Sequence, residues 1–135
     1  MRTTTLCVLL SFAALSSPAA SLRALIIDGQ NNHEWQRTTP VLKKLLEDTG
    51  MFQVDVATTP PKGGDFSGFH PDFSKYQLVI SNYNTFPNGD NWPDAVQTAF
   101  EQFMRNGGGF VSYHSADNAF PKWEAFQQKI GRAHV

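Results

Sequence analysis

Residues 107–118 read GGGFVSYHSADN, a stretch that predicts a helix end, a buried strand and a polar loop in immediate succession. Glycines let the backbone turn out of a helix at little steric cost, and Phe110 and Val111 are strand formers. In an open parallel α/β sheet, ligands bind just beyond the carboxyl ends of the strands. We therefore interpret the loop from His114 onward as part of a site, against the plainer interpretation of a solvated turn.

The same succession of an apolar strand and a polar loop occurs twice more, earlier in the chain. Residues 24–27 (ALII) form a continuous apolar run, typical of a strand buried on both faces, and residues 28–35 (DGQNNHEW) follow it. Residues 78–80 (LVI) predict a further strand, which ends in the polar run 81–84 (SNYN). Because parallel strands end at one edge of their sheet, the three polar segments are expected to meet there.

Two helices and one more strand are predicted between these segments. Thr39 would cap a helix with Pro40 in its first position and Gly50 at its end. Residues 52–56 alternate like a half-buried strand near a sheet edge, and the loop 58–74 leaves room for a short helical turn near its end. Pro93 lies in the first turn of a second predicted helix. The apolar stripes of the two helices are Val41, Leu42, Leu45 and Leu46, and Val96, Ala99, Phe100, Phe103 and Met104.

The order of these elements predicts a three-layer α/β fold with a doubly wound parallel sheet. A nicotinamide site is not supported, since Asp28 and Gly29 are not followed by the glycines of a dinucleotide fingerprint. The chain has 135 residues, a net charge of −1 and no basic run, which argues against nucleic acid as a partner.

Residues 1–21 are expected to be a signal peptide, with cleavage after Ala19 or Ser21. A short basic start precedes the apolar run 6–15, which is too short to span a bilayer, and small residues follow it. The alternative is a buried N-terminal helix. The one cysteine, Cys7, would leave with the leader, so no stable membrane span and no thiol would remain. An exported protein without disulfides suggests a bacterial periplasm or exterior.

With these segments in place, the chain resembles the ThuA-like domain, named for a trehalose-utilisation protein. The resemblance implies a class I glutamine amidotransferase-like (flavodoxin-like) fold and a role with trehalose or keto-glycosides. Those amidotransferases carry a cysteine nucleophile after a strand, where this chain has Tyr113, His114 and Ser115, so thiolate-dependent glutamine hydrolysis is excluded. The matching segments are ALIIDG at 24–29, Asn32-His33, residues 76–84, Trp92-Pro93, GGG at 107–109, YHSADNAF at 113–120 and Trp123.

The family domain is longer than this chain, so we expect a ThuA-like domain over residues 22–129 that is incomplete at its C-terminus. Residues 130–135 (IGRAHV) correspond to the translation of a widely used sequencing adapter. We therefore expect a non-native tail over 130–135, with a natural short tail as the alternative.

His114 is the first candidate for a general acid or base, because imidazole titrates near neutral pH. Asp117 or Asp28 could orient it or share the proton transfer, as in elimination or isomerisation of a keto-glycoside. A Ser115–His114 nucleophile is disfavoured because sequence neighbours rarely have hydrogen-bond geometry. His33 and His114 could instead join a carboxylate around a divalent metal.

The other polar and aromatic residues of the strand ends are expected to bind the hydroxyls and ring faces of a sugar. Each could instead hold a loop or the core. Two rivals to an enzyme stay open, namely a non-catalytic sugar-binding or accessory module of a larger secreted protein, and a relic of the fold without a ligand. The predicted ligand-binding residues are Asp28, Asn32, His33, Trp35, Asn82, Tyr83, Asn84, Ser115 and Asn118.

Overall fold

Four apolar segments form one parallel sheet in a computed structural model that describes residues 20–129. The strands are β1 (Leu22–Asp28), β2 (Phe52–Thr58), β3 (Leu78–Ser81) and β4 (Gly109–Ser112), and their order in the sheet is β2-β1-β3-β4. The central position of β1 explains its continuous apolar run, since residues 24–27 are buried on both faces. The predicted doubly wound α/β fold is confirmed.

The helices lie in two layers, one on each face of the sheet. They are α1 (Trp35–Glu47), α2 (Asp94–Arg105) and α3 (Glu124–Lys129), with 3₁₀ turns at Phe73–Lys75 and His114–Asn118. Leu42 and Leu46 of α1 pack against Ala24 and Ile26 of β1. The other face of β1 packs in a cluster that contains Val96, Phe100 and Phe103 of α2 and Phe126 of α3. These contacts confirm the three-layer arrangement.

An aromatic cluster fills the layer between the sheet and α2. Trp92 is only 1% exposed, and its ring centroid lies 4.9 Å from that of Phe120 and 5.9 Å from that of Phe100. Trp123 joins the same cluster at 6.1 Å from Trp92. Trp92 is therefore a core residue, and its ring does not form part of a ligand surface.

Helix α1 begins five residues earlier than the sequence predicts, at Trp35. The N–H groups of Arg37 and Thr38 already donate to the carbonyl of Glu34, so the first turn is formed before Thr39. Thr39 is buried and does not cap the helix, because its hydroxyl accepts a hydrogen bond from Asn82. Pro40 consequently lies inside α1, where it removes one backbone donor from an exposed face.

The predicted stripe of α1 is only half buried. Val41 and Leu45 are 56% and 60% exposed, whereas Leu42 and Leu46 pack on the sheet. The prediction of a buried β4 is also wrong, since Val111 is 47% exposed. In the described sheet β4 is an edge strand paired with β3 alone, so its apolar run is not covered as that of β1 is.

The ends of the remaining elements follow the predictions closely. The edge strand β2 and the short turn at Phe73–Lys75 lie where they were expected. Pro93 occupies the N-cap of α2, one residue outside its predicted place, and Gly107 ends that helix with φ of +88°. Among residues 20–129, no helix has the length and apolar character needed to cross a bilayer. Residues 1–19 of the predicted leader and the predicted tail 130–135 lie outside the described residues.

Neighbouring leucines of α1 provide a test of this packing. We expect Leu46→Ala to lower the free energy of unfolding by about 1–2 kcal/mol, because a partly buried apolar side chain is removed. Leu45→Ala should change it by less than about 0.5 kcal/mol, because the side chain is mostly in solvent. Urea unfolding of both variants measures the difference, and equal losses would contradict the assignment.

Candidate functional site

Three loops meet at the carboxyl edge of the sheet, and one side chain joins them. Asn31, in the loop after β1, accepts a hydrogen bond from Ser115 Oγ after β4 at 2.9 Å. Its amide nitrogen donates to the backbone oxygen of Asn82 after β3 at 3.1 Å. Asn31 was not among the predicted residues, because nothing in its type or spacing separates it from Asn32. The expected meeting of the three loops is confirmed.

Asn82 holds this edge together and is not available to a ligand. It is 2% exposed, and its amide nitrogen donates to Thr38 Oγ1 at 2.9 Å and to Thr39 Oγ1 at 3.0 Å. Its side-chain oxygen accepts from Asn31 at 3.3 Å. Both amide hydrogens and the oxygen are thus used within the protein, so the predicted ligand-binding role of Asn82 is replaced by a structural one.

Asn84 is also buried, at 1% exposure, and shapes the loop after β3. Its amide nitrogen donates to Asn32 Oδ1 at 2.7 Å, and its oxygen accepts from the backbone N–H of Phe86 at 2.9 Å. Asn32 itself is exposed. Of these two predicted ligand residues, Asn32 is therefore the one presented to solvent, and Asn84 positions it.

Asp28 joins β1 to β2. Its carboxylate is buried and accepts a hydrogen bond from Thr58 Oγ1 at 2.7 Å. β3 separates β1 from β4, so His114 follows a strand that is two positions away, about 10 Å by the usual strand spacing. This geometry favours a structural role for Asp28 over the predicted role of orienting His114.

Tyr83 lies in the core and not in the site. It is fully buried, its ring stacks on Phe120 at 5.6 Å between centroids, and its hydroxyl donates to the backbone oxygen of Asp90. Burial, and secondarily the charge of Asp90, raise the pKa of Tyr83 well above its ordinary range. The prediction that its ring faces a sugar is wrong, because strand alternation after β3 turns that side chain toward the aromatic cluster.

His33 and His114 are brought into contact by the loops after β1 and β4. Their ring centroids are 4.6 Å apart with an angle of 46° between the planes, and both residues are exposed. His114 has φ of +51°, a conformation that is uncommon for any residue other than glycine. Strained residues of this kind cluster at functional sites. The two imidazoles are thus presented to solvent side by side.

The other predicted residues of this loop lie in the 3₁₀ turn His114–Asn118. Ser115 is buried and its hydroxyl is bonded to Asn31, which does not fit a nucleophile activated by His114. Asp117 and Asn118 are exposed. Within residues 20–129, no three His, Cys, Asp or Glu side chains lie close enough to hold a metal ion, so His33 and His114 supply two ligands at most.

A cleft of about 430 Å³ opens between the loops that follow β1 and β3, and Asn32, the residue before His33, is part of its lining. Gln30 fixes its wall, because its amide group donates to Pro60 O at 2.9 Å and accepts from Asp90 N at 2.9 Å. Trp35, one of the predicted ligand residues, is half-buried in the lining. Phe86 and Lys62 come from turn-rich loops without any periodic pattern. The lining residues are Gly29, Gln30, Asn31, Asn32, Trp35, Pro61, Lys62, Asn84, Phe86, Pro87, Asn88 and Gly89.

Comparison with known proteins finds a family model described as trehalose utilisation, ThuA, which matches residues 23–135. A crystal structure of a ThuA-like protein from Parabacteroides merdae is 49% identical with a TM-score of 0.76, over 81% of this chain and 38% of that one. A ThuA-like protein from Bacteroides uniformis is 29% identical with a TM-score of 0.57, over 90% of this chain and 48% of that one. The chain thus spans less than half the length of either. No functionally curated protein matches it.

The strained backbone of His114 can be tested by stability alone. We expect His114→Gly to be more stable than His114→Ala by about 1 kcal/mol, because a Cβ disfavours positive φ and glycine has none. Urea unfolding of the two variants measures this difference. If the alanine variant is equally stable, the positive φ is not a source of strain in solution.

Proposed function

The chain belongs to the ThuA (trehalose utilisation) family, and from this premise we propose that it acts on trehalose or an oxidised (keto) glycoside at the carboxyl edge of its sheet. In this proposal the sugar lies in the cleft and over the exposed histidines, and His114 is the general acid or base. The protein would be exported by its leader and work in the periplasm or outside the cell. We propose this role for the part of the family domain that the chain contains.

The observation that carries the proposal is the contact between His33 and His114. Their ring centroids are 4.6 Å apart, at the edge of the sheet where this fold places ligands. A pair of imidazoles can divide an acid–base reaction, since one accepts a proton while the other donates one. In elimination from a keto-glycoside, His114 would take the proton from the carbon next to the ketone. The C–H electron pair would form the new double bond, and the departing oxygen would take a proton from His33.

Asp117 would orient His114 or share the proton transfer, because its carboxylate belongs to the same 3₁₀ turn. Ser115 supports the turn through its bond to Asn31 and holds His114 in place without reacting itself. Asn118 and Asn32 are the exposed amides that would bind hydroxyl groups. The reactive groups therefore stand on a scaffold of buried amides.

Replacement of the histidines tests the acid–base role. We expect His114→Asn to lower turnover of keto-trehalose at least about a hundredfold, because asparagine tolerates positive φ but transfers no proton at neutral pH. His70→Asn is the matched control, since His70 is also exposed and lies in the loop between β2 and β3. Product formation followed by NMR gives the rates.

The same variants separate an enzyme from a sugar-binding or accessory module. A rate for His114→Asn within a few-fold of the His70→Asn control would contradict a catalytic His114. Sugar affinity in the parent protein without any turnover would favour the binding module. No affinity for trehalose or its keto derivative would favour the relic.

A divalent metal on His33 and His114 is a second candidate, favoured by the same ring contact. It requires a third ligand from a substrate oxygen or from a residue elsewhere. If a metal takes part, we expect EDTA to abolish turnover and Zn²⁺ to restore it in the parent protein but not in His33→Ala. Turnover that is unchanged after exhaustive chelation would contradict the metal.

A further inference from the structure

We propose that the cleft between the loops after β1 and β3 is a separate subsite that holds one pyranose ring without an amino group, while the neighbouring ring of the same disaccharide lies over His33 and His114. Phe86 and Lys62 are its specificity-determining residues. This inference rests on the proposed function and refines it, since it names which part of the ligand each surface takes. The proposal follows from the position, size, walls and charge of the cleft.

The cleft lies at the point where the winding of the sheet changes direction. From β1 the chain moves outward to β2, then returns past β1 to β3 and β4. The loops after β1 and β3 therefore run in opposite directions and leave a crevice between them, the usual ligand position of doubly wound folds. Residues 29–32 line this crevice on one side, and residues 84 and 86–89 line it on the other.

The volume of the cleft is large enough for a pyranose ring. About 430 Å³ is near the lower end of the range of about 300–1,000 Å³ for small-molecule sites. His33 directly follows Asn32 of the lining, and Asn31 of the lining bonds to Ser115, the residue after His114. A disaccharide with one ring in the cleft would thus extend its second ring toward the histidines.

The walls combine exposed aromatic surface with fixed amides. Phe86 is 59% exposed although it is a large apolar residue, and Trp35 contributes a second ring to the lining. Aromatic faces of this kind cover the apolar C–H face of a pyranose ring. Gln30 and Asn84 are held by hydrogen bonds to Asp90 and Asn32, so the polar part of the wall is arranged before a ligand arrives.

The charge of the lining selects among sugars. It contains no carboxylate and a single cation, Lys62, which has no salt-bridge partner among residues 20–129. An ammonium group donates hydrogen bonds to hydroxyl oxygens but repels another ammonium group. A protonated amino sugar should therefore bind in the subsite more weakly than a neutral hexose.

The test measures affinity in the full chain, with Phe86→Ala as the variant and Leu45→Ala as the matched control. The two residues have nearly equal exposure, 59% and 60%, but Leu45 lies on α1 outside the cleft. We expect Phe86→Ala to weaken trehalose binding about tenfold by calorimetry, since an aromatic contact is lost, and Leu45→Ala to leave it unchanged. Trehalosamine should bind the parent protein several-fold more weakly than trehalose, and Lys62→Gln should reduce that preference.

Each outcome decides between the subsite and the wider proposal. If Phe86→Ala binds trehalose as tightly as Leu45→Ala does, the proposed subsite is contradicted. The proposed function would still stand in that case if turnover depends on His114. Equal affinity of the parent protein for trehalose and trehalosamine would overturn the assigned role of Lys62. Absence of any trehalose or keto-trehalose binding would overturn both proposals together. Melting curves of all variants confirm that each is folded.

Discussion

The buried side-chain amide of Asn82 is the contact on which the carboxyl edge of this sheet depends. It lies at the end of β3, between the loop after β1 and the start of α1. Its side chain bonds to Asn31 of that loop and to Thr38 and Thr39 of α1. A buried amide that loses its partners costs about 1–3 kcal/mol. The same bonds hold Thr38 and Thr39, near the start of α1, against the edge of the sheet.

The consequences of this contact reach the histidines. Asn82 orders Asn31, and Asn31 in turn bonds to Ser115 and to the backbone N–H of His33 at 2.9 Å. The two histidines therefore stand on a network that begins in the interior of the sheet edge. Buried polar networks of this kind hold one arrangement firmly when every member has a partner.

The fold could be predicted from the sequence because its signals are local and repeated. The apolar run at residues 24–27 identified a central strand, and polar segments after three strands identified the shared edge. The roles of individual asparagines could not be predicted, since Asn31, Asn82 and Asn84 have the same chemistry and differ in the partners that the tertiary structure brings to them. The exposure of Val41 and Leu45 depends on what α1 packs against, which helical spacing does not encode.

The meeting of the three loops could be predicted from the sequence more fully than the contacts of their individual residues. His33 and His114 were predicted as site residues of two separate loops, and the contact between their rings depends on the path of the loop after β1. Phe86 and Lys62 lie in segments rich in proline, glycine and asparagine, where no periodicity marks a functional residue. Tyr83 was wrongly assigned to the site because it lies between two polar residues at a strand end. Its side chain points into the core because side chains alternate between the two faces along the extended chain after β3.

The strain at His114 is of a size that its surroundings can sustain. Positive φ costs a residue with a Cβ about 1–2 kcal/mol. The turn is held on both sides, by the Ala116 N–H to the oxygen of Tyr113 at 3.1 Å and by Ser115 Oγ to Asn31 at 2.9 Å. At about 0.5–1.5 kcal/mol each, two such bonds offset the strain. Ser115 and Ala116 are buried, so relaxation of His114 to a negative φ would break the two hydrogen bonds that hold the turn. The positive φ is therefore retained, and it keeps the imidazole at the surface beside His33.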